Sequence, residues 1–251
     1  MAPEGFQPAE VEFIMLRLRG NKLTWLGHAT FRITTPSGQV ALIDPWVASN
    51  PWCPEPLKKP ERVDVMFITH GHHDHFEDAV ALAQQHKPQI VAIIETGAWL
   101  ASKGISNILT MNKGGTQKAG EFEVTMVHAV HSNSIEDEGR IIYGGEPCGL
   151  IIRLPGGLVL YHAGDTSIFG DMKLIGELYA PELALLPIGD HFTMGPREAA
   201  LAIRLLNVHH VVPMHYGTFP VLTGTPQALR GLTQDVAGLE IHVLEPGQTI
   251  E

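Results

Sequence analysis

The stretch Thr69-His70-Gly71-His72-His73-Asp74-His75 constrains this chain more than any other part of it. Four histidines and an aspartate fall within six residues, directly behind the apolar run Val65-Met66-Phe67-Ile68. Neutral imidazoles and a carboxylate are the donors that a borderline cation such as Zn²⁺ takes. A tight loop at a strand end can aim several of them at one point, and Gly71 is expected to relax the backbone there. A merely solvated surface gives no reason for so dense a run behind a buried-looking strand.

Three more donors stand in matching places. Residues 122–130 form a strand-like run, and His131-Ser132 follows it. Residues 158–161 form another, followed by His162-Ala163-Gly164-Asp165-Thr166. Residues 211–214 form a third, followed by His215-Tyr216-Gly217-Thr218. In layered α/β folds such strand ends gather on one rim and build the site. Further short apolar runs lie at 23–26, 31–34, 40–43, 65–69, 90–94, 149–154, 183–187 and 241–244, bounded mostly by Gly, Pro, Asp or Ser. Helices are expected over 76–86, over 196–207 behind Pro196, and from Pro226 to about 235 behind the N-cap residue Thr225. The pattern predicts two sheets packed face to face with helices outside. Without an internal linker, residues 21–251 read as one domain, and 1–20 as an extension in which 11–18 forms a strand or a short helix.

Bulk properties narrow the partners. Seventeen basic against 27 acidic residues leave a formal charge of −10 over 251 residues, which disfavours stable nucleic-acid binding. No run approaches the roughly 18 apolar residues that span a membrane. Cys53 and Cys148 have no CxxC spacing, and the opening residues carry no secretory pattern, so a reducing, cytoplasmic location is expected. A homo-oligomer stays open.

The motif His70-Gly71-His72-His73-Asp74-His75 resembles the HxHxDH signature of the metallo-β-lactamase superfamily, and the resemblance runs over residues 21–251. Thr24-Trp25-Leu26-Gly27-His28-Ala29-Thr30, Ile43-Asp44-Pro45, and Gly195-Pro196 after Asp190-His191-Phe192-Thr193-Met194 are similar to a branch of metal-dependent hydrolases akin to the ascorbate-6-phosphate lactonases. The opening WLGHAT also resembles phospholipase D-type members. The resemblance implies a four-layer αββα sandwich of two mixed sheets flanked by helices. It implies that His70, His72 and His131 hold one divalent cation, that Asp74, His75 and His215 hold a second, and that Asp165 bridges them. Zinc is the expected metal; the same donors accept Mn, Fe or Ni. Two cations acidify a shared water, so a bridging hydroxide is the expected nucleophile and no Ser or Cys is required.

The expected activity is hydrolysis of a small phosphorylated or lactone or ester metabolite. Alternatives are a phosphodiesterase acting on nucleic acid or lipid, and a non-catalytic metal-binding protein. A processive nuclease needs an inserted domain, for which 165–215 leaves no room. Asp74 is also a candidate proton shuttle. His28 reads as a catalytic or substrate contact at the rim, or as a hydrogen-bonded turn histidine. His191, where related sequences carry a small polar residue, reads as a substrate-facing acid or base, or as a surface loop histidine. Asp44 reads as an acid that orients a metal-bound histidine rather than a ligand. His73 is expected to point away from the metals, His162 to pack beside the site, and Asp190, Thr193 and Tyr216 to line the pocket. Cys53 is placed in a Pro-rich loop near the mouth.

Overall fold

The computed structural model describes residues 15–251. The chain first lays down β1 (Lys22–Trp25), β2 (Phe31–Thr34), β3 (Val40–Ile43), β4 (Val65–Phe67), β5 (Gln89–Ile93) and β6 (Ile108–Met111). A second sheet begins with β7 (Thr116–Ala119) and β8 (Phe122–His128). After the hairpin β9 (Ser134–Asp137) and β10 (Arg140–Tyr143), it continues through β11 (Cys148–Arg153), β12 (Val159–His162), β13 (Leu183–Pro187), β14 (His210–Met214) and β15 (Glu240–Ile241). The last strand, β16 (Thr249–Ile250), returns to pair with β1, giving two seven-stranded sheets. Both are mixed: β1 to β3 run antiparallel and β3 to β6 parallel, while β7-β8-β11-β12 is antiparallel and β12 to β15 parallel.

Side-chain alternation divides the interior into three apolar layers. Phe31, Val65 and Phe67 of the first sheet meet Phe122, Leu150, Leu160 and Val212 of the second between the sheets. Met66 and Ile90 turn outward to α2 (Ala79–His86) and α3 (Ile94–Ser102). Tyr161, Ala184 and Val211 turn outward to α4 (Met172–Tyr179), α5 (Pro196–Leu206) and α6 (Pro226–Leu232). The result is the expected αββα sandwich. Strands buried on both faces explain why so many appear in the sequence as continuous apolar runs. No helix among the described residues is long and apolar enough to cross a membrane.

Several local expectations are corrected. The single helix over 76–86 is two: α1 (His73–Phe76) and α2, separated at Asp78. The Asp78 carboxylate accepts hydrogen bonds from Val47 N (2.6 Å) and Ala48 N (2.9 Å), so it anchors a neighbouring loop instead of a first helical turn. The apolar run 90–94 ends its strand at Ile93, and Ile94 opens α3. At the C-terminus the strand is Glu240–Ile241, and Leu244 packs into the inter-sheet core. At the other end, Leu18 is buried in that same core, and Arg19 pairs with Glu182 at 2.7 Å. Residues 15–18 are neither strand nor helix, and positions 11–14 of that reading lie outside the described residues.

Candidate metal centre

The histidine-rich motif leaves β4 at its C-terminal end and turns into α1. Gly71 has no positive φ. It is required for space: a Cβ there would stand 2.4 Å from Ile135 Cγ1, and its amide donates to Asn133 Oδ1 at 2.8 Å. His131, Asp165 and His215 arrive from the turns after β8, β12 and β14, so four strand ends converge on one rim. All seven predicted ligand positions meet there.

They form two groups. His70 Nε2, His72 Nδ1 and His131 Nε2 converge, with 3.1 Å between the first two and 3.3 Å between the last two. Asp74, His75 and His215 converge in the second group, and His28 joins them. Asp165 stands between the groups. Its Oδ2 lies 3.6 Å from His131 Nε2, 4.0 Å from His70 Nε2 and 3.0 Å from His215 Nε2, and its Oδ1 lies 3.2 Å from His75 Nε2.

Hydrogen-bond accounting shows which ring atoms are free to ligate. Thr69 Oγ1 donates its one proton to Asp44 Oδ2 (2.7 Å), so at 3.0 Å from His70 Nδ1 it must accept the His70 proton. His70 Nε2 is therefore a lone pair. His75 Nδ1 donates to Asp44 Oδ2 at 2.8 Å, which directs His75 Nε2 to the centre. Asp44, wholly buried, also accepts from Thr69 N at 2.8 Å, and so orients two of the rings, as expected of an acid that does not itself ligate. His28, also wholly buried, places Nε2 3.0 Å from Asp74 Oδ2 and Nδ1 3.0 Å from Thr218 Oγ1. A neutral ring so placed gives its proton to Asp74 and accepts from Thr218.

These residues fit a pair of cations. His75 Nε2, His215 Nε2 and Asp165 Oδ1 are buried and form no hydrogen bond within the protein. Orphaned donors of this kind cost about 1–3 kcal/mol each unless something else satisfies them. Burial drives His70 well below the ordinary histidine range and, with His131 alongside, takes His72 to about 4, so both rings present lone pairs at neutral pH. Burial, reinforced by His215, takes His28 to about 3. At His75 burial acts the same way, but the Asp165 and Asp44 carboxylates outweigh it and hold the proton on the ring. Positive charge between those carboxylates is thus favoured in the protein itself.

The centre opens into a cleft of about 390 Å³. Besides ligand positions, its walls are His73, Ser132, Ser134, Glu136, Ile141, Phe192 and Phe219, with no Lys or Arg among the described residues. His73 is largely exposed, as expected. His162 is buried beside the centre, its Nε2 bonding Ala29 O at 3.0 Å. His191 is exposed and does not line the cleft. Asp190 and His191 both have positive φ (66° and 59°), and the turn they make presents Phe192 instead. Asp190, Thr193 and Tyr216 are not lining residues either. Tyr216 stacks on Trp25 with ring centroids 5.6 Å apart, and Cys53 is buried under the outer helices of the first sheet. The sequence reading gave Thr69 and Thr218 no role although both adjoin the quoted motifs, and it missed Asn133 and Phe219, which stand outside regular structure without a periodic signal.

Comparison with known proteins identifies the family and the fold. The profile of the β-lactamase superfamily domain matches residues 22–215. A UPF0173 metal-dependent hydrolase of Koribacter versatilis is 55% identical over 232 residues, covering 92% of this chain and 98% of that protein. One of Solibacter usitatus is 56% identical over 232 residues, covering 92% and 99%. The structure of Igni18, a metallo hydrolase from the archaeon Ignicoccus hospitalis, superposes with a TM-score of 0.81 at 36% identity, covering 92% and 97%. The metallo-β-lactamase fold protein YhfI of Bacillus subtilis shares the fold, with a TM-score of 0.67 at 17% identity over 92% and 98%.

Proposed function

The chain belongs to the β-lactamase superfamily, among the UPF0173 metal-dependent hydrolases, and from that premise we propose that it hydrolyses a small lactone or carboxylic ester at a pair of divalent cations. The observation that carries the substrate class is the cleft wall. Ile141, Phe192 and Phe219 offer apolar surface, and Glu136 is acidic. With no Lys or Arg among the described lining residues, a phosphoryl dianion would find no protein counter-charge beyond the centre. Phosphate-recognising sites normally supply one. An uncharged acyl substrate loses nothing by that lack.

In this reading His70, His72 and His131 hold one cation, Asp74, His75 and His215 the other, and Asp165 spans both; zinc suits the His/Asp set, as would Mn, Fe or Ni. When bound, the cations supply an acidified water and polarise the scissile carbonyl. The protein's own groups do the rest. Asp44 and Thr69 fix the tautomers of His75 and His70. Asp74 lines the cleft and takes a proton for the leaving group, while His28 positions its carboxylate through the 3.0 Å bond. Phe192 and Phe219 shield the reacting carbonyl from bulk water. Two buried, unpaired cysteines suit a reducing compartment, and we place the enzyme in the cytoplasm.

The test is metal content by elemental analysis together with hydrolysis of a lactone, a carboxylic ester, a phosphodiester and a phosphomonoester, by the wild type and by Asp165→Ala. The expected result is at least about two ions per chain, about two fewer in the variant, and acyl hydrolysis that falls at least about 100-fold in it. Preference for either phosphate ester would overturn the substrate class. Activity indifferent to Asp165 would overturn the centre.

A further inference from the structure

A second group of donors lies at the other end of β14. The parallel register pairs His210 with Glu240, and the rungs Glu240 N to His209 O and His242 N to Val211 O are both 2.8 Å. Side chains alternate along a strand, so Glu240 and His242 share a face with His210. His210 Nδ1 lies 3.2 Å from His242 Nε2 and 3.3 Å from Glu240 Oε2, and His242 Nε2 lies 3.7 Å from Glu240 Oε2. Three atoms bound tetrahedrally to zinc at about 2.0–2.1 Å stand about 3.3–3.4 Å apart, which is the size of this triangle.

We propose that His210, Glu240 and His242 form a further binding site for a divalent cation of the zinc class, separate from the catalytic centre, that ties the two-residue edge strand β15 to β14. The separation follows from the strand. His215 lies five residues beyond His210, about 16 Å at 3.3 Å per residue, and past the opposite end of β14. None of the three residues lines the catalytic cleft. His210 is buried, His242 half-buried and Glu240 exposed, so a cation has an approach from solvent without crossing the core.

The test uses full-length protein stripped by chelator, reloaded with Zn²⁺ and passed through metal-free buffer. Wild type, His242→Ala and Glu240→Gln are compared for zinc per chain, for zinc-dependent melting and for acyl hydrolysis. The expected result is one ion fewer per chain in His242→Ala, a smaller zinc-induced rise in Tm by several degrees, and unchanged hydrolysis. Glu240→Gln keeps the shape of an exposed side chain and should weaken zinc at the same site if His242→Ala folds poorly. Equal zinc content and equal zinc-induced Tm shifts in all three proteins would overturn the proposal and leave a hydrogen-bonded trio. Loss of hydrolysis in Asp165→Ala bears only on the catalytic reading, so the two fail separately.

Discussion

Asp44→Asn separates the orienting role of a buried carboxylate from its bulk. Asp44 accepts three hydrogen bonds, from Thr69 N, Thr69 Oγ1 and His75 Nδ1, at 2.7–2.8 Å. The amide is nearly isosteric, and Asn tolerates the backbone φ of 48° at this position, where Ala would add strain. Its oxygen still accepts from Thr69 N. Its NH₂ then faces Thr69 Oγ1 and His75 Nδ1, which must become acceptors. His75 is pushed to the tautomer carrying its proton on Nε2, the atom that faces the centre, and the freed Thr69 hydroxyl proton can turn to His70 Nδ1, which favours the tautomer with its proton on Nε2 there too. Loss of such an orienting partner costs about 10–100-fold in metal affinity, or about 1.4–2.7 kcal/mol. The assay is competition of stripped protein against a chromogenic chelator, with hydrolysis measured at saturating metal. Affinity should fall by that factor while far-UV circular dichroism is unchanged. Wild-type affinity in Asp44→Asn would refute the tautomer argument, because a spectator carboxylate would lose nothing by becoming an amide.

Three further outcomes are expected. Gly189→Ala should lower Tm and metal content together, since a Cβ there would stand 2.0 Å from His215 O and displace a ligand turn; normal metal content would show that the turn moves freely. Burial raises the Cys53 thiol to about 11 and raises Cys148 further, so below about 0.1–1% thiolate is present near pH 8 and iodoacetamide should label neither in the native protein, only after denaturant. Metal-free protein should lose stability as pH falls from about 6.5 toward 5: His28, His70, His72, His131 and His162 all titrate below their unfolded value, so the unfolded state takes up protons first, each ring contributing up to about 1.4 kcal/mol per pH unit. His75, held protonated in the fold, opposes this slope near pH 6.5 and ceases to do so toward pH 5, where the unfolded ring is protonated too; a denaturation midpoint that rose as pH fell over that window would contradict the buried neutral rings.

That the seven candidate donors would converge was legible because each follows an apolar strand run, and a strand end in a layered fold has one rim to face. The same rule explains what stayed hidden. The hairpin β9–β10 reads SIED and RIIY, two runs of only four residues of which the first is half acidic, and it pairs with neither large sheet, yet it carries Ile141 to the cleft. The apolar continuity of Ile93 and Ile94 conceals a change from strand to helix. Helix α4 contains Gly176, which weakens a propensity-based reading; a Cβ there would stand 2.4 Å from Leu206 O, so packing against α5 demands it. Asn133 meets Gly71 across 62 residues of sequence, and a lone polar residue in a turn carries no periodic trace of such a contact. At 190–192 two consecutive left-handed residues decide which side chain faces the cleft, and composition does not reveal that.

The centre also shows why the protein tolerates local strain. His28, Asp44 and His215 are buried, non-glycine and at φ of 55°, 48° and 56°. Such conformations cost on the order of 1–3 kcal/mol each and persist only where surroundings over-determine them. Here the surroundings are identifiable. His215 N donates to His28 O at 3.0 Å, and Asp44 N donates to Phe67 O at 2.9 Å, so each strained residue is tied to another strand end. Trp25 Nε1 donates to His28 O at 3.0 Å while its ring packs on Trp52 and Tyr216. Strain at these turns aims three side chains inward that an ordinary strand exit would send elsewhere. Asp44 and His28 are hydrogen-bonded there, whereas both ring nitrogens of His215 are buried without a hydrogen bond, so the cost of assembling the centre is borne by the two packed sheets, and a bound cation would return part of it as stability.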